Sequence, residues 1–193
     1  LVVSDGSADD TDALVTSFQD RHVPVTLLRQ EPSGKAAALT LALPILRSEV
    51  VVLTDARQEL HPRRVKELTA VLADPTVGAV SGQLLPRPDA DGADQTAGPY
   101  WRMETKLRLA MGTLDSMLGA TGPIYAMRTS DLRPVPKGLI LDDMYLPLGA
   151  FFRGMRLVSA PEAIAWEESM PLASEFHRKV RTAAGNYQLL KHE

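Results

Sequence analysis

The sequence predicts an α/β fold with a mainly parallel central sheet flanked by helices. Three observations lead to it. Short, apolar, β-branched runs alternate with helix-patterned segments; acidic residues and glycines fall directly after the strand-like runs; and Pro, Gly and Asp collect between them. With 193 residues, 45% hydrophobic and 23% charged, the chain has material for one packed domain and is not of disordered composition. A formal charge of −3 gives no basic footprint for nucleic acid. The absence of cysteine excludes disulfides, thiolate metal sites and cysteine nucleophiles together. No apolar run approaches the ~20 residues of a membrane span, and no signal peptide opens the chain. Leu1-Val2-Val3 already lies inside a hydrophobic strand with no initiator methionine, so the chain reads as a piece of a longer protein.

The first strand covers 1–4. A helix follows, with Asp9, Asp10 and Asp12 near its amino end and Leu14, Val15 and Phe18 on one face. Residues 25–28 form a second strand. Gly34 opens a helix with Leu39, Leu43 and Leu46 on one face, which Pro44 kinks or ends early. Residues 49–54 (EVVVLT) are the most strand-like run and end at Asp55. Pro62 begins a helix carrying Val65, Leu68 and Leu72. A strand over 77–85, a loop over 86–99, a Met- and Leu-rich helix over 100–118, a strand over 122–128 and a loop over 132–138 follow. A helix over 142–153, a β pair within 156–166 and a helix over 174–190 complete the order.

In open α/β sheets ligands lie beyond the carboxyl ends of the strands, where Asp5 and Asp55 are placed. A single Asp there is more often a turn former; two after buried strands shift the balance toward function. Asp5-Gly6-Ser7 joins a strand end to a helix start, either as a capped turn with Ser7 as N-cap or as a ligand contact. Gly34-Lys35 resembles the tail of a phosphate loop but has Arg29 and Ala36 where Gly and Ser or Thr are required. Lys35 at a helix start on the ligand side still suits a phosphate. Asp142-Asp143 reads either as a capping pair or as two repelling carboxylates, one with the raised pKa of a general base. His22, His61, His177 and His192 show no H-E-x-x-H spacing, and Ser81 lacks a G-x-S-x-G frame.

Five stretches in order resemble the inverting family 2 glycosyltransferases of the GT-A fold. They are Val2-Val3-Ser4-Asp5-Gly6-Ser7-Ala8-Asp9-Asp10-Thr11, Gly34-Lys35-Ala36-Ala37-Ala38-Leu39, the strand ending at Asp55, Gly122-Pro123-Ile124-Tyr125-Ala126-Met127-Arg128 and Asp142-Asp143-Met144-Tyr145-Leu146. The resemblance implies one domain over 1–193, with a Rossmann-like nucleotide-sugar-binding half over 1–85 and an acceptor-binding half over 98–193. Asp5 would bind the donor base, usually uracil, and Lys35 would lie near the diphosphate. Asp55 would join the metal site, and Asp143 would deprotonate the acceptor hydroxyl, with Gly122, Asp142 and Gln188 on the acceptor side. Mg2+ or Mn2+ would be the cofactor, and a saccharide or lipid-linked molecule the acceptor. Such relatives serve polysaccharide biosynthesis and are often tethered to the cytoplasmic membrane by flanking helices, which implies a cytoplasmic location with any tether outside these residues.

Three departures qualify that picture. Arg57 replaces the second acid of D-x-D, and an arginine there is suited to neutralising diphosphate. Gln188-Leu189-Leu190-Lys191-His192 only echoes the Q-x-x-R-W of processive synthases. The family's opening strand and helix, with its P-x-x-N-E turn, have no counterpart before Leu1. Two alternatives remain: a catalytically inactive binding module of the same fold, and a phosphoacceptor receiver domain built on Asp5, Asp55 and Lys106. The glycosyltransferase reading expects Asp5, Asp55 and Asp143 to face one cleft.

Overall fold

A computed structural model describes residues 1–87, 99–168 and 172–191. Of the loop predicted at 86–99, residues 88–98 lie outside the described residues. Strands β1 (Val2–Asp5) and β2 (Leu27–Gln30) pair in parallel across helix α1 (Thr11–Asp20). Helix α2 (Lys35–Ala42) gives way to a 3-10 turn at Leu43–Ile45, where Pro44 has no N–H with which to continue the helix. Then come β3 (Val50–Thr54), the two-residue β4 (Glu59–Leu60), α3 (Arg64–Val71), β5 (Val77–Pro86) and α4 (Pro99–Leu114). The chain continues through β6 (Ile124–Arg128), α5 (Asp142–Phe151), β7 (Arg156–Glu167) and α6 (Leu172–Leu189). Among the described residues no helix is long and apolar enough to cross a membrane.

The five-stranded sheet has the order β3-β6-β5-β7-β4. The α/β class holds, but the sheet is more mixed than the sequence predicts. Strands β3, β5 and β7 share one direction, while β6 lies antiparallel between β3 and β5, and β4 runs antiparallel to β7. A parallel return would need a crossover carrying the chain back to the start of β5. Instead the chain re-enters beside the middle of β5, where the Thr121 N–H donates to Ser81 Oγ (2.8 Å) and Tyr125 pairs with Ser81. From there β6 runs back along the first half of β5. The β pair predicted within 156–166 is also corrected: it is the single strand β7, parallel to β5. Its register shifts where Ser81 and Gln83 of β5 pair with Ser159 and Ile164. Pro161 sits in that bulge, where no ladder N–H is needed.

Alternation along β6 divides the core. Tyr125 and Met127 point into a cluster with Ala36, Leu141, Leu146, Leu157 and Leu189, beneath α2, α5 and α6. Ile124 and Ala126 face Leu68, Leu72 and Val80, beneath α3. The β1–β2 pair is less embedded. It shares no ladder with the larger sheet, and β1 faces β3 across a groove walled by α2. Helix α1 buries none of its residues; Leu14 of its predicted apolar face is 59% exposed.

Candidate functional site

The site begins where β1 ends. Asp5 accepts hydrogen bonds from Gln30 Nε2 (2.7 Å) and from the backbone N–H groups of Ser33 (2.7 Å) and Gly34 (2.9 Å). These bonds favour the carboxylate and hold its pKa below the ordinary value, the Ser33 N–H most of all. Asp5 thus fixes the loop entering α2, and Gly34 makes the turn with φ +87°, a conformation that suits glycine. The next residue is Lys35. Its Nζ lies 2.9 Å from Asp55 Oδ1, just beyond β3, and 3.2 Å from Asp142 Oδ2, at the start of α5. Burial alone would lower the Lys35 pKa, but the Asp142 and Asp55 carboxylates outweigh it and the net shift is upward.

Asp142 and Asp143 occupy the first turn of α5, where the positive end of the helix favours negative charge. Neither caps the helix: the N-cap position is Leu141, with no side-chain cap bond. Asp142 is only 3% exposed, and burial raises its pKa against the pull of Lys35. Burial, then the charge of Asp142, raises Asp143 to about 6. A Cβ at Gly122 would stand 2.5 Å from Asp143 Oδ2, so the bare glycine backbone leaves the carboxylate its place. Pro147, four residues on, has no N–H to offer the Asp143 carbonyl, which instead accepts the Ala120 N–H (2.9 Å). The proline therefore joins the start of α5 to the segment that carries Gly122.

The other predicted residues are placed as follows. Arg57 Nη2 lies 3.5 Å from Glu167 Oε1 at the end of β7. Gln188 holds the loop leading to Asp142: its Oε1 accepts the Ile140 N–H (2.9 Å) and its Nε2 donates to the Gly138 carbonyl (2.9 Å). The structure thus gathers Lys35, Asp55 and Asp142 in direct contact, with Asp143 beside them and Gly122 against it. Asp5 joins through the residue preceding Lys35, not through a side chain of the cluster.

Three participants escaped the sequence reading. Pro147 was not singled out, because a proline within a helix-patterned run does not show in sequence which carbonyl it frees. Glu167 accepts from Gln58 Nε2 (3.0 Å) across 109 residues and also pairs with Arg178 (3.4 Å), a relation no local pattern encodes. Tyr125 reads as strand core and is wholly buried. Its Oη has no hydrogen-bond partner among the described residues. Burial, followed by the charges of Asp142, Asp143 and Asp55, pushes its pKa well above the ordinary value.

Among the described residues no three His, Asp or Glu side chains gather to hold a metal ion. Asp55 and Asp142 both face the Lys35 ammonium. Asp55, the more exposed of the two, is the carboxylate that could help to hold a divalent ion. On the other side of Asp143 lies a cavity of about 520 Å³, bounded by Gly122, the carboxyl half of β5, α4 and α6.

The model of the family described as glycosyl transferase family 2 matches residues 1–133. A mannosyltransferase from Pyrobaculum calidifontis, solved with GDP-Man and Mn2+, is 27% identical, with a TM-score of 0.77 over 94% of this chain and 50% of that one. Glucosyl-3-phosphoglycerate synthase from Mycobacterium tuberculosis, solved with Mn2+, UDP-Glc and phosphoglyceric acid, is 20% identical, with a TM-score of 0.63 over 98% of this chain and 67% of that one. The latter is a likeness of fold. This chain spans about half the length of the mannosyltransferase. No curated protein matches it in sequence. A receiver domain is set aside, because the family match runs through both Asp5 and Asp55 and β6 breaks the parallel sheet. The architecture is the GT-A α/β fold, and the chain belongs to glycosyl transferase family 2.

Proposed function

We propose that the protein transfers a sugar from a nucleoside-diphosphate donor to an acceptor hydroxyl with inversion, with Asp143 as the general base. One observation carries this reading: a carboxylate with a pKa of about 6 lies between a Lys35-centred charge cluster and a cavity large enough for an acceptor. The acceptor oxygen attacks the anomeric carbon as the bond from that carbon to the diphosphate oxygen breaks. The electron pair leaves with the diphosphate, and the hydroxyl proton passes to Asp143. Lys35 offsets diphosphate charge, and Asp5 holds the loop that presents Lys35 and borders the base. A divalent ion, when bound, would neutralise leaving-group charge, and Asp55 is the residue to hold it. Arg57, two residues beyond Asp55 and paired with Glu167, is a second cation of a type suited to phosphate.

The test is a donor panel of UDP-Glc and GDP-Man with Mn2+ or Mg2+, reading donor binding and sugar release for the wild type and Asp143→Asn. Donor binding by both proteins, with release slowed only in the variant, supports the reading. Equal rates overturn Asp143 as the base. Donor binding without release by either protein favours an inactive binding module, the second reading, to which Arg57 in place of an acid lends weight.

A further inference from the structure

Two separated parts of the site meet on one side chain. The loop after β3 carries Asp55, which pairs with Lys35, and then Arg57 and Gln58. On the far side of Asp143, α6 walls the cavity with Arg178, Thr182 and Asn186. Between loop and helix stands Glu167, the last residue of β7. Its Oε1 accepts from Gln58 Nε2 at 3.0 Å and faces Arg57 Nη2 at 3.5 Å, while its Oε2 faces Arg178 Nη1 at 3.4 Å. One oxygen serves the loop and the other serves the helix. The platform itself is fixed: Glu167 pairs with Pro86 of β5, its carbonyl accepts the Arg87 N–H (2.9 Å), and its side chain is 14% exposed. Helix α6 is held differently along its length. Near its carboxyl end Gly185 lies against Leu141 and Leu189 joins the core, whereas no residue from Phe176 to Ala184 is buried. Arg57 and Arg178 have other contacts as well, so Glu167 is the link between them and not the whole anchorage of either.

Resting on the glycosyltransferase reading, we propose that Glu167 is a positioning residue that couples nucleotide binding to the placement of α6 beside the acceptor cavity. Arg57 and Arg178 share one carboxylate and, as like charges, oppose each other there. A diphosphate beside Asp55 draws on Arg57, whose guanidinium suits phosphate oxygens. The Glu167 charge is then left to Arg178, and the amino half of α6 is held more firmly in place. No covalent bond forms or breaks in this step. The two sites are the donor groove and the cavity, and the two states are a looser and a firmer α6. By linkage, anything that holds α6 in place strengthens nucleotide binding by the same factor. The pairs are partly exposed, so the coupling is a matter of a few-fold.

Hydrogen exchange along α6 is followed in the full chain and its E167Q, R178Q and R57Q variants, with and without UDP or GDP and Mn2+. Nucleotide affinity is measured separately, and thermal melts check that the variants fold. In the wild type, saturating nucleotide should slow exchange over residues 176–184 by about two- to fivefold. E167Q keeps an oxygen for Gln58 but not the charge, so it should still bind nucleotide while losing most of that response, as should R178Q. R57Q separates coupling from a merely structural tie. If Glu167 only braces the site, removing any member loosens α6. If it couples the two sites, R57Q without nucleotide should exchange more slowly over 176–184 than the wild type, because Glu167 then answers Arg178 alone. Exchange in R57Q equal to or faster than in the wild type overturns the proposal. So does a wild type that binds nucleotide with no change in α6, or an E167Q that keeps the full response. Wild-type protein that binds neither nucleotide refutes the glycosyltransferase reading instead, and the R57Q comparison, which needs no nucleotide, still decides whether Glu167 links the loop to α6.

Discussion

As the proposed base, Asp143 must be ionised to take a proton, and its environment opposes ionisation. With a pKa of about 6, the transfer rate should rise with pH through that value and level off above it. Asp143→Asn should lower transfer by roughly 10²–10⁴-fold with donor affinity unchanged, and Asp142→Asn by much less. Stability runs the other way. The folded pKa lies above the ordinary 3.8, so the protonated carboxyl stabilises the fold fully below about pH 4, and that contribution is lost as pH rises through about 6. Asp143→Asn should therefore melt above the wild type at pH 8, by up to about 3 kcal/mol, with the difference closing at pH 4. A lower melt at pH 8 would mean that the charge is better compensated than its burial implies. Gly122→Ala should slow transfer while the protein still folds, because its methyl would meet Asp143 Oδ2 at 2.5 Å; rate and melting temperature measured together check this. Lys35, Asp55 and the Asp142-Asp143 pair were legible in the sequence because charges placed directly beyond strands or at helix starts are conspicuous. Tyr125 was not, since a buried phenol aimed at carboxylates has the same sequence signature as a core aromatic.

At the scale of elements, the first turn of α5 depends on what holds it from outside. Gln188 bonds to both Gly138 and Ile140, and the chain reaches Asp142 two residues later. Gln188→Ala removes two bonds of about 0.5–1.5 kcal/mol each and leaves the Ile140 N–H without that acceptor. Stability should fall by about 1–3 kcal/mol, and the Ile140 amide should exchange faster than its neighbours. Gln188→Glu keeps the acceptor for Ile140 but loses the donor to Gly138, so it should fall between the two. Unchanged Ile140 exchange in Gln188→Ala would show that the loop is held by its packing. The order of helices and strands was readable from periodicity and from Pro and Gly punctuation. The direction of β6 was not, because it is expressed only in its pairing with the distant strands β3 and β5. Nor was the single course of β7: a proline such as Pro161 breaks a ladder equally at a turn and at a bulge, and only the partner strand distinguishes them.

Across the whole molecule, stability is divided unevenly, and the division crosses the site. The five-stranded sheet is packed on both faces, whereas β1 and β2 form a separate pair, and two strands alone are marginal. Helix α1 covers that pair without burying a residue and is linked to β2 through Asp12, whose Oδ2 accepts from Arg29 Nε (2.7 Å). Asp5 supplies the corresponding link from β1 to the start of α2. Native-state hydrogen exchange should therefore find β1, β2 and α1 opening at lower free energy than β5 and β6. Asp5 and Asp12 both have depressed pKa values, Asp5 chiefly through the Ser33 N–H and Asp12 chiefly through the Ser4 hydroxyl. Their stabilisation is thus present above the ordinary carboxylate range and is lost as pH falls through their folded values. Acid should loosen this unit before the larger sheet unfolds. Because the proposed donor lies between Asp5 and Lys35, a bound nucleoside diphosphate stabilises the closed unit by mass action. Saturating UDP or GDP should slow exchange at β1, β2 and the amides of Ser33 and Gly34 more than at β6, and Asp5→Asn should remove most of that difference. Uniform protection of both sheets would mean that the molecule opens as one body, and that nucleotide does not draw its selectivity from ordering the β1–β2 unit.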